Sequence, residues 1–216
     1  MSANRAPRLS RIARRLACGA IMLVASLGLA PAGPAVLILQ TENFISTSPL
    51  PRFAIRAEVT TSKSQGTATS RLVMKPIGDT PDDWTAIYEI TVEENLGIGM
   101  DAYLKRLGED YASWCGTDLA LYEILRREYH PARDEEILLV ALPCASYISN
   151  PAFGEVMTSA IHRIGDSYAS MTQMWGGARF QANGYMTWPI PEFGLQDMKV
   201  IFNRHYFGRK LPGDDL

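Results

Sequence analysis

The sequence predicts an α+β fold: a mainly antiparallel sheet with one amphipathic helix packed on one face and a short C-terminal helix. Three observations carry that prediction. Apolar and polar residues alternate through 53–60 and again through 84–93, the two-residue period of a strand. One stretch, 100–114, repeats its apolar residues at helical spacing. The strand-like segments also follow one another with few helices between them, which favours antiparallel pairing over parallel crossover units.

The chain opens with Arg5, Arg8, Arg11, Arg14 and Arg15, and no acid precedes Glu42. Leu16 to Ala30 is an apolar run, and Ala30-Pro31-Ala32-Gly33 offers small residues for a cut after Ala32. Basic, apolar and small-residue regions in that order form a secretory signal peptide. The expected organisation is a signal at 1–32, an extended leader at 33–52 and a single α+β domain at 53–216. Arg14-Arg15 is followed by Leu-Ala-Cys, a poor match to a twin-arginine signal, and Cys18 precedes the apolar run, which argues against lipidation. An uncleaved anchor is the competing reading, because apolar character resumes at Ala35 and the run to Leu39 reaches the ~20 residues that span a bilayer. Pro31, Gly33 and Pro34 interrupt it as a helix and favour cleavage. The expected address is the periplasm or beyond in a bacterium, with an inner-membrane anchor as the alternative.

Residues 40–52, with two prolines, read as extended leader. Phe53, Ile55, Ala57 and Val59 then alternate as a strand, Ser62–Gly66 is a turn, and Thr67–Lys75 is its partner. After a loop at Pro76–Asp83, Trp84, Ala86, Tyr88, Ile90 and Val92 point one way and Thr85, Glu89, Thr91 and Glu93 the other. Such a strand belongs to a sheet covered on a single side. Met100, Tyr103, Leu104, Leu107, Tyr111 and Trp114 form one helical stripe, expected to pack on the Trp84–Val92 face, with Gly116 placed to end the helix. Leu119–Glu128 favours strand, and Glu136–Cys144 is apolar enough for a central one. Glu155–Arg163 and Ser167–Trp175 flank Gly165-Asp166, a hairpin turn. Gly176–Pro191 is irregular, and Leu195, Met198, Phe202 and Tyr206 suggest the terminal helix.

At 216 residues, with 47% hydrophobic content, nine tyrosines and four tryptophans, the chain can fill one core. Setting aside the five N-terminal arginines leaves 16 basic against 23 acidic side chains, a balance of −7. A mildly acidic domain has no general pull toward phosphate backbones, so nucleic acid is not an expected partner. Apart from Cys18, the cysteines are Cys115 and Cys144. In an oxidising compartment that even pair is expected to be a disulfide, which would stabilise the fold by roughly 3 kcal/mol.

Asp83-Trp84 opening a strand, Trp114-Cys115 closing a helix, Leu142-Pro143-Cys144 in a later strand and a Gly165-Asp166-Ser167-Tyr168 hairpin running to Trp175 form a set. In these landmarks the chain resembles an uncharacterised family of small exported proteobacterial proteins, over roughly residues 80–180. The resemblance implies export and a disulfide, and brings no catalytic residues. The order of strands and helix is also loosely similar to Mog1/PsbP-type domains, which implies an accessory or assembly role.

No pattern of residues carries a recognised chemistry. Cys115, His162 and Asp166 are the right types for a thiol enzyme, but no local motif groups them and an oxidised cysteine is no nucleophile. His130, His162 and His205 fit no metal-ligand spacing. Glu93-Glu94, Asp134-Glu135-Glu136 and Asp82-Asp83 read as solvated charges at element ends. Trp175-Gly176-Gly177-Ala178-Arg179 could form a binding lip, and Tyr185 and Trp188, beside prolines, would suit a protein interface. The expected binding surface is therefore Trp175, Arg179, Tyr185, Trp188 and His162, with no catalytic residue, metal or cofactor assigned. The sequence thus favours a non-catalytic envelope module that binds another envelope protein or a small ligand, with membrane contact only through a retained anchor. The alternatives are a periplasmic enzyme of unrecognised type, with His162, Asp166 and the Trp175 loop lining a pocket, or a membrane-anchored subunit of an envelope assembly.

Overall fold

The computed structural model describes residues 21–23, 36–49, 55–64, 66–80, 84–115, 123–181, 188–191 and 203–209. Eleven strands and one α-helix are assigned among them. In chain order they are β1 (Ile21–Leu23), β2 (Val36–Gln40), β3 (Phe44–Pro49), β4 (Ile55–Ser64), β5 (Thr67–Pro76), β6 (Ala86–Glu94), α1 (Met100–Ala112), β7 (Glu123–His130), β8 (Glu135–Cys144), β9 (Phe153–Ile164), β10 (Ser167–Ala178) and β11 (Tyr206–Arg209). The main sheet has seven strands in the order β4-β5-β6-β10-β9-β8-β7, and every neighbouring pair is antiparallel. One meander, β4 to β6, ends at the sheet centre. The chain then crosses through α1 to the far edge, and a second meander, β7 to β10, returns to close against β6.

The hairpins sit where turn chemistry allows them. Gly165 takes φ 58° in the two-residue link between β9 and β10, a positive value that costs glycine nothing. Asp134 takes φ 46° at the end of a 3₁₀ turn joining β7 to β8, and aspartate tolerates that conformation. The helix begins at Met100 with Asp101 in its first turn and ends at Ala112, where the Ser113 hydroxyl donates to the Asp110 carbonyl at 2.7 Å. Gly116, expected to end it, lies outside the described residues.

Two expectations about the layers are corrected. The Trp84–Val92 face does not receive the helix. A second, four-stranded antiparallel sheet, β1-β2-β3-β11, lies on it, and Leu37, Leu39, Phe44 and Phe207 bury against Leu72, Tyr88, Ile90 and Met171. The helix packs on the opposite face, where Tyr103, Leu104 and Tyr111 meet Leu138, Val140, Leu142, Ile161 and Tyr168. The sheet is therefore covered on both sides; the segment expected to be a leader supplies two strands of one cover, and β1 falls within the segment expected to be the signal. The reason is that β10 buries large residues on both of its faces, Tyr168 toward the helix and Met171 toward the small sheet, so each face demands a layer. The terminal helix is also corrected in part: Tyr206 starts β11, whose Phe207 stacks on Phe44 at 4.9 Å between ring centroids. The residues of that prediction before 203 lie outside the described set.

Cys115 and Cys144 are joined, with their Cα atoms 5.6 Å apart. The bond ties the chain just beyond α1 to the end of central strand β8, as expected. A short bridge between Cys115 and Tyr147 and a 2.9 Å hydrogen bond from the Ile148 N–H to the Trp114 carbonyl reinforce the same corner. Among the described residues no helix is long and apolar enough to cross a membrane.

Candidate functional site

The helix is narrower than the face it covers. It lies over β8, β9 and β10, and the helix-facing side chains of β5 and β6 are left beside it. These are the polar members of the β6 alternation, Glu89, Thr91 and Glu93. Register places Thr91 opposite both Arg71 of β5 and Ser170 of β10, and Glu89 opposite Thr172. Met174 follows one row further, opposite Met157 of β9. A cleft of about 420 Å³ runs between this floor and the flank of α1. Leu107, Tyr111 and Trp114 form its wall. Its floor grades from two methionines at the Trp114 end to hydroxyls and paired charges at the other.

The charged floor is ordered by its own pairs. Arg71 donates two hydrogen bonds to the Glu89 carboxylate, at 2.8 and 2.6 Å, and Thr91 donates to the same group at 2.9 Å. Arg106 of α1 reaches across to the Glu93 carboxylate at 2.9 and 2.8 Å and closes the polar end. Glu89 raises the Arg71 pKa further above its ordinary value, with burial opposing. The Arg106 guanidinium also lies 4.9 Å from the centre of the Tyr103 ring, which stacks on Tyr168 at 4.2 Å. Burial drives the Tyr103 phenol well above the usual tyrosine range, and the Glu93 charge adds to it, so Tyr103 stays protonated. Tyr168 donates to the Ile98 carbonyl at 2.6 Å and is raised to about 12, mainly by burial.

At the apolar end, Trp114 is 43% exposed and meets Tyr111 edge-on at 5.6 Å. An indole held this way at the mouth of a cleft is a ready contact surface. Behind it lies Glu155, a carboxyl only 2% exposed. The Tyr147 hydroxyl donates to it, and Tyr111 and Trp114 also act as donors. Burial raises its pKa, and these donors pull the other way. Glu155 thereby holds the aromatic wall to β9.

Of the residues expected to form a binding surface, Trp175, Arg179 and Trp188 lie toward one end of β9 and β10, and His162 lies apart from them. Trp175 is 5% exposed, so its indole is not an accessible lip. The adjoining glycines serve packing: a Cβ on Gly176 would overlap the Phe153 ring and the Trp84 carbonyl, and one on Gly177 would come within 2.9 Å of Pro189. Arg179 is exposed and its N–H donates to the Ala152 carbonyl at 2.8 Å. Trp188 is half-buried against the cluster of Ala145, Val156 and Phe180. Tyr185 lies outside the described residues. His162 pairs with Ala169 in the ladder and Trp175 with Val156, which separates them by about 20 Å along the strands. Asp166 sits on the turn beyond His162. The pocket of His162, Asp166 and Trp175 is therefore not formed, and Cys115 is held in its disulfide.

His162 instead bonds Glu135 at 2.6 Å and meets Phe207 edge-on; burial lowers its pKa against the pull of Glu135. His205 bonds Ser46 at 3.0 Å, and burial pushes it down to about 4, with His162 adding to the shift. Two of the acidic clusters are also corrected in part, and Asp82-Asp83 lies outside the described residues. Glu94 is 1% exposed and accepts from Thr41 and Asn43, while Glu136 is buried and paired with Arg127. Both hold neighbouring elements together where solvated charges were expected. Among the described residues no group of three or more histidines, cysteines or carboxylates is arranged to hold a metal ion. No family model, curated protein or solved structure matches the chain.

Proposed function

We propose that the chain is an exported envelope protein that binds a small ligand in the cleft between α1 and the β5–β6–β10 floor, as a binding or accessory module. The observation that carries this reading is the build of the cleft. An exposed indole and two methionines stand at one end, and fixed acceptors and hydroxyls at the other. Sites for small molecules combine mostly apolar walls with a few positioned polar groups in volumes of this order. Two further features support export: the basic, apolar and small-residue order of the first 33 residues, and a disulfide, which persists in oxidising compartments. Catalysis is the weaker reading, because Glu89 and Glu93 are each clamped by a guanidinium and the cysteines are joined.

The test is to recover the protein from the periplasm and compare its native and denatured masses with those of Trp114→Ala. The expected result is a chain that starts at Gly33, and so lacks the edge strand β1 of the small sheet, with one disulfide. Wild type should carry extra native mass that is reduced or absent in the variant. A reduced, full-length chain found only with membranes, or identical native masses without adduct, contradicts the proposal.

A further inference from the structure

The lining of the cleft also narrows the class of ligand. Resting on the binding reading above, we infer that the cleft takes a neutral, polyhydroxylated ligand, a saccharide unit, laid with its C–H face on Trp114 and its hydroxyls over Thr91, Ser170 and Glu89.

Charge makes the first distinction. Both guanidiniums that line the cleft are already held by two contacts each, Arg71 of the floor by Glu89 and Arg106 of the helix by Glu93. An incoming carboxylate or phosphate would have to displace a carboxylate from a short, charge-assisted pair, and would meet Asp110 on the wall. A fully neutral chain, such as an acyl tail, fits no better. It would cover Arg71 and Glu89 and remove them from water without supplying hydrogen bonds, a costly burial. A ligand that is uncharged but rich in hydrogen-bonding groups avoids both penalties.

Hydrogen-bond capacity makes the second. Thr91 and Ser170 are direct cross-strand neighbours, and Glu89 stands beside Thr91 with its carboxylate oriented by three donors. Hydroxyls donate and accept, and a carboxylate only accepts. Adjacent strands set these groups about 4.8 Å apart, close enough for neighbouring hydroxyls of one ring to engage them together. The aromatic end completes the match. The face of the Trp114 indole is electron-rich, the C–H bonds on one face of a pyranose are weakly positive, and the two stack. Met157 and Met174 lie beside it and can follow an irregular apolar contour. The volume admits a short saccharide, on the order of one or two rings.

The test screens the disulfide-intact protein on an array of neutral oligosaccharides that includes the tetramers of glucose and N-acetylglucosamine. Calorimetry then follows on any hit, with octanoate and phenylethylamine as charged probes. At least one neutral oligosaccharide should bind, at least tenfold more weakly to Trp114→Ala and to Thr91→Val. Tyr129→Ala, on the far edge strand, should bind like wild type. Thr91→Val removes a hydroxyl and keeps a β-branched shape, so it separates lost recognition from lost folding. If no oligosaccharide binds while octanoate or phenylethylamine does, and Trp114→Ala weakens it, the saccharide inference fails and the binding reading stands. If no probe binds and the native mass shows no adduct, both fail.

Discussion

Gly176, Glu155 and His205 each owe their behaviour to a different kind of close confinement. At Gly176 the constraint is steric, so Gly176→Ala must displace the Phe153 ring or the Trp84 backbone. We expect a loss of about 1–3 kcal/mol in chemical denaturation, and a variant as stable as wild type would contradict that packing. At His205 the constraint is electrostatic. Below its ordinary 6.5 the unfolded chain takes up a proton that the folded protein refuses until about pH 4, so stability is lost as pH falls through that window. The full loss is on the order of 3 kcal/mol. His205→Asn should flatten the acid limb of melting temperature against pH, and an unchanged limb would count against a neutral, half-buried imidazole. Glu155 has the opposite sign. Its raised pKa means the unfolded chain ionises first as pH rises above 4.5, so stability falls through the interval up to its folded value. Glu155→Gln should remove that decline, measured by the same melting series; a decline of wild-type size would place the titrating group elsewhere.

Helix α1 is the element on which the cleft depends, since it forms one wall and is fastened at its middle and beyond its C-terminal end. Arg106 ties it to β6 and the disulfide fixes the chain beyond its last turn to β8. The Arg106–Glu93 pair is partly solvated and contributes little on its own, so the disulfide is the stronger fastening. Replacing Cys115 and Cys144 together by serine should cost roughly 3 kcal/mol. Amide exchange near Tyr111 and Trp114 should quicken, and unchanged exchange there would show that the helix end holds without the bond. The helix, the β6 strand, the Gly165 hairpin and the cysteine pair were all legible in the sequence, because each is written in local periodicity, turn chemistry or a count of two. The face that α1 covers was not. Its stripe suits any apolar surface, and β6 offered the nearest one in sequence. The true partners, Leu138, Val140 and Leu142, lie in a run apolar on both faces, which hides its orientation. The cleft was illegible for a related reason. Arg71, Thr91, Arg106 and Ser170 come from four elements, and only the register of β5, β6 and β10 brings them together. The one available hint was that Glu89, Thr91 and Glu93 share a strand face with no apolar residue among them.

At the scale of the whole molecule, two covers of unequal width explain where a site can exist. The small sheet closes over the β5, β6 and β10 side of one face through Phe44, Phe207 and their neighbours. On the other face the helix covers the β8 to β10 side, and among the described residues the polar strip beside it lines an open cleft. The methionines report on this arrangement directly, because they are distributed across both faces. Met157 and Met174 line the cleft, whereas Met74 and Met171 are buried under the small sheet. The most direct measurement is therefore a methyl spectrum of protein labelled at its methionine methyl groups, titrated with the small-molecule fraction of the cell envelope. Binding in the cleft predicts saturable shifts of Met157 and Met174, with Met74 and Met171 unmoved. Shifts confined to Met74 and Met171, or no saturable shift at all, would contradict it.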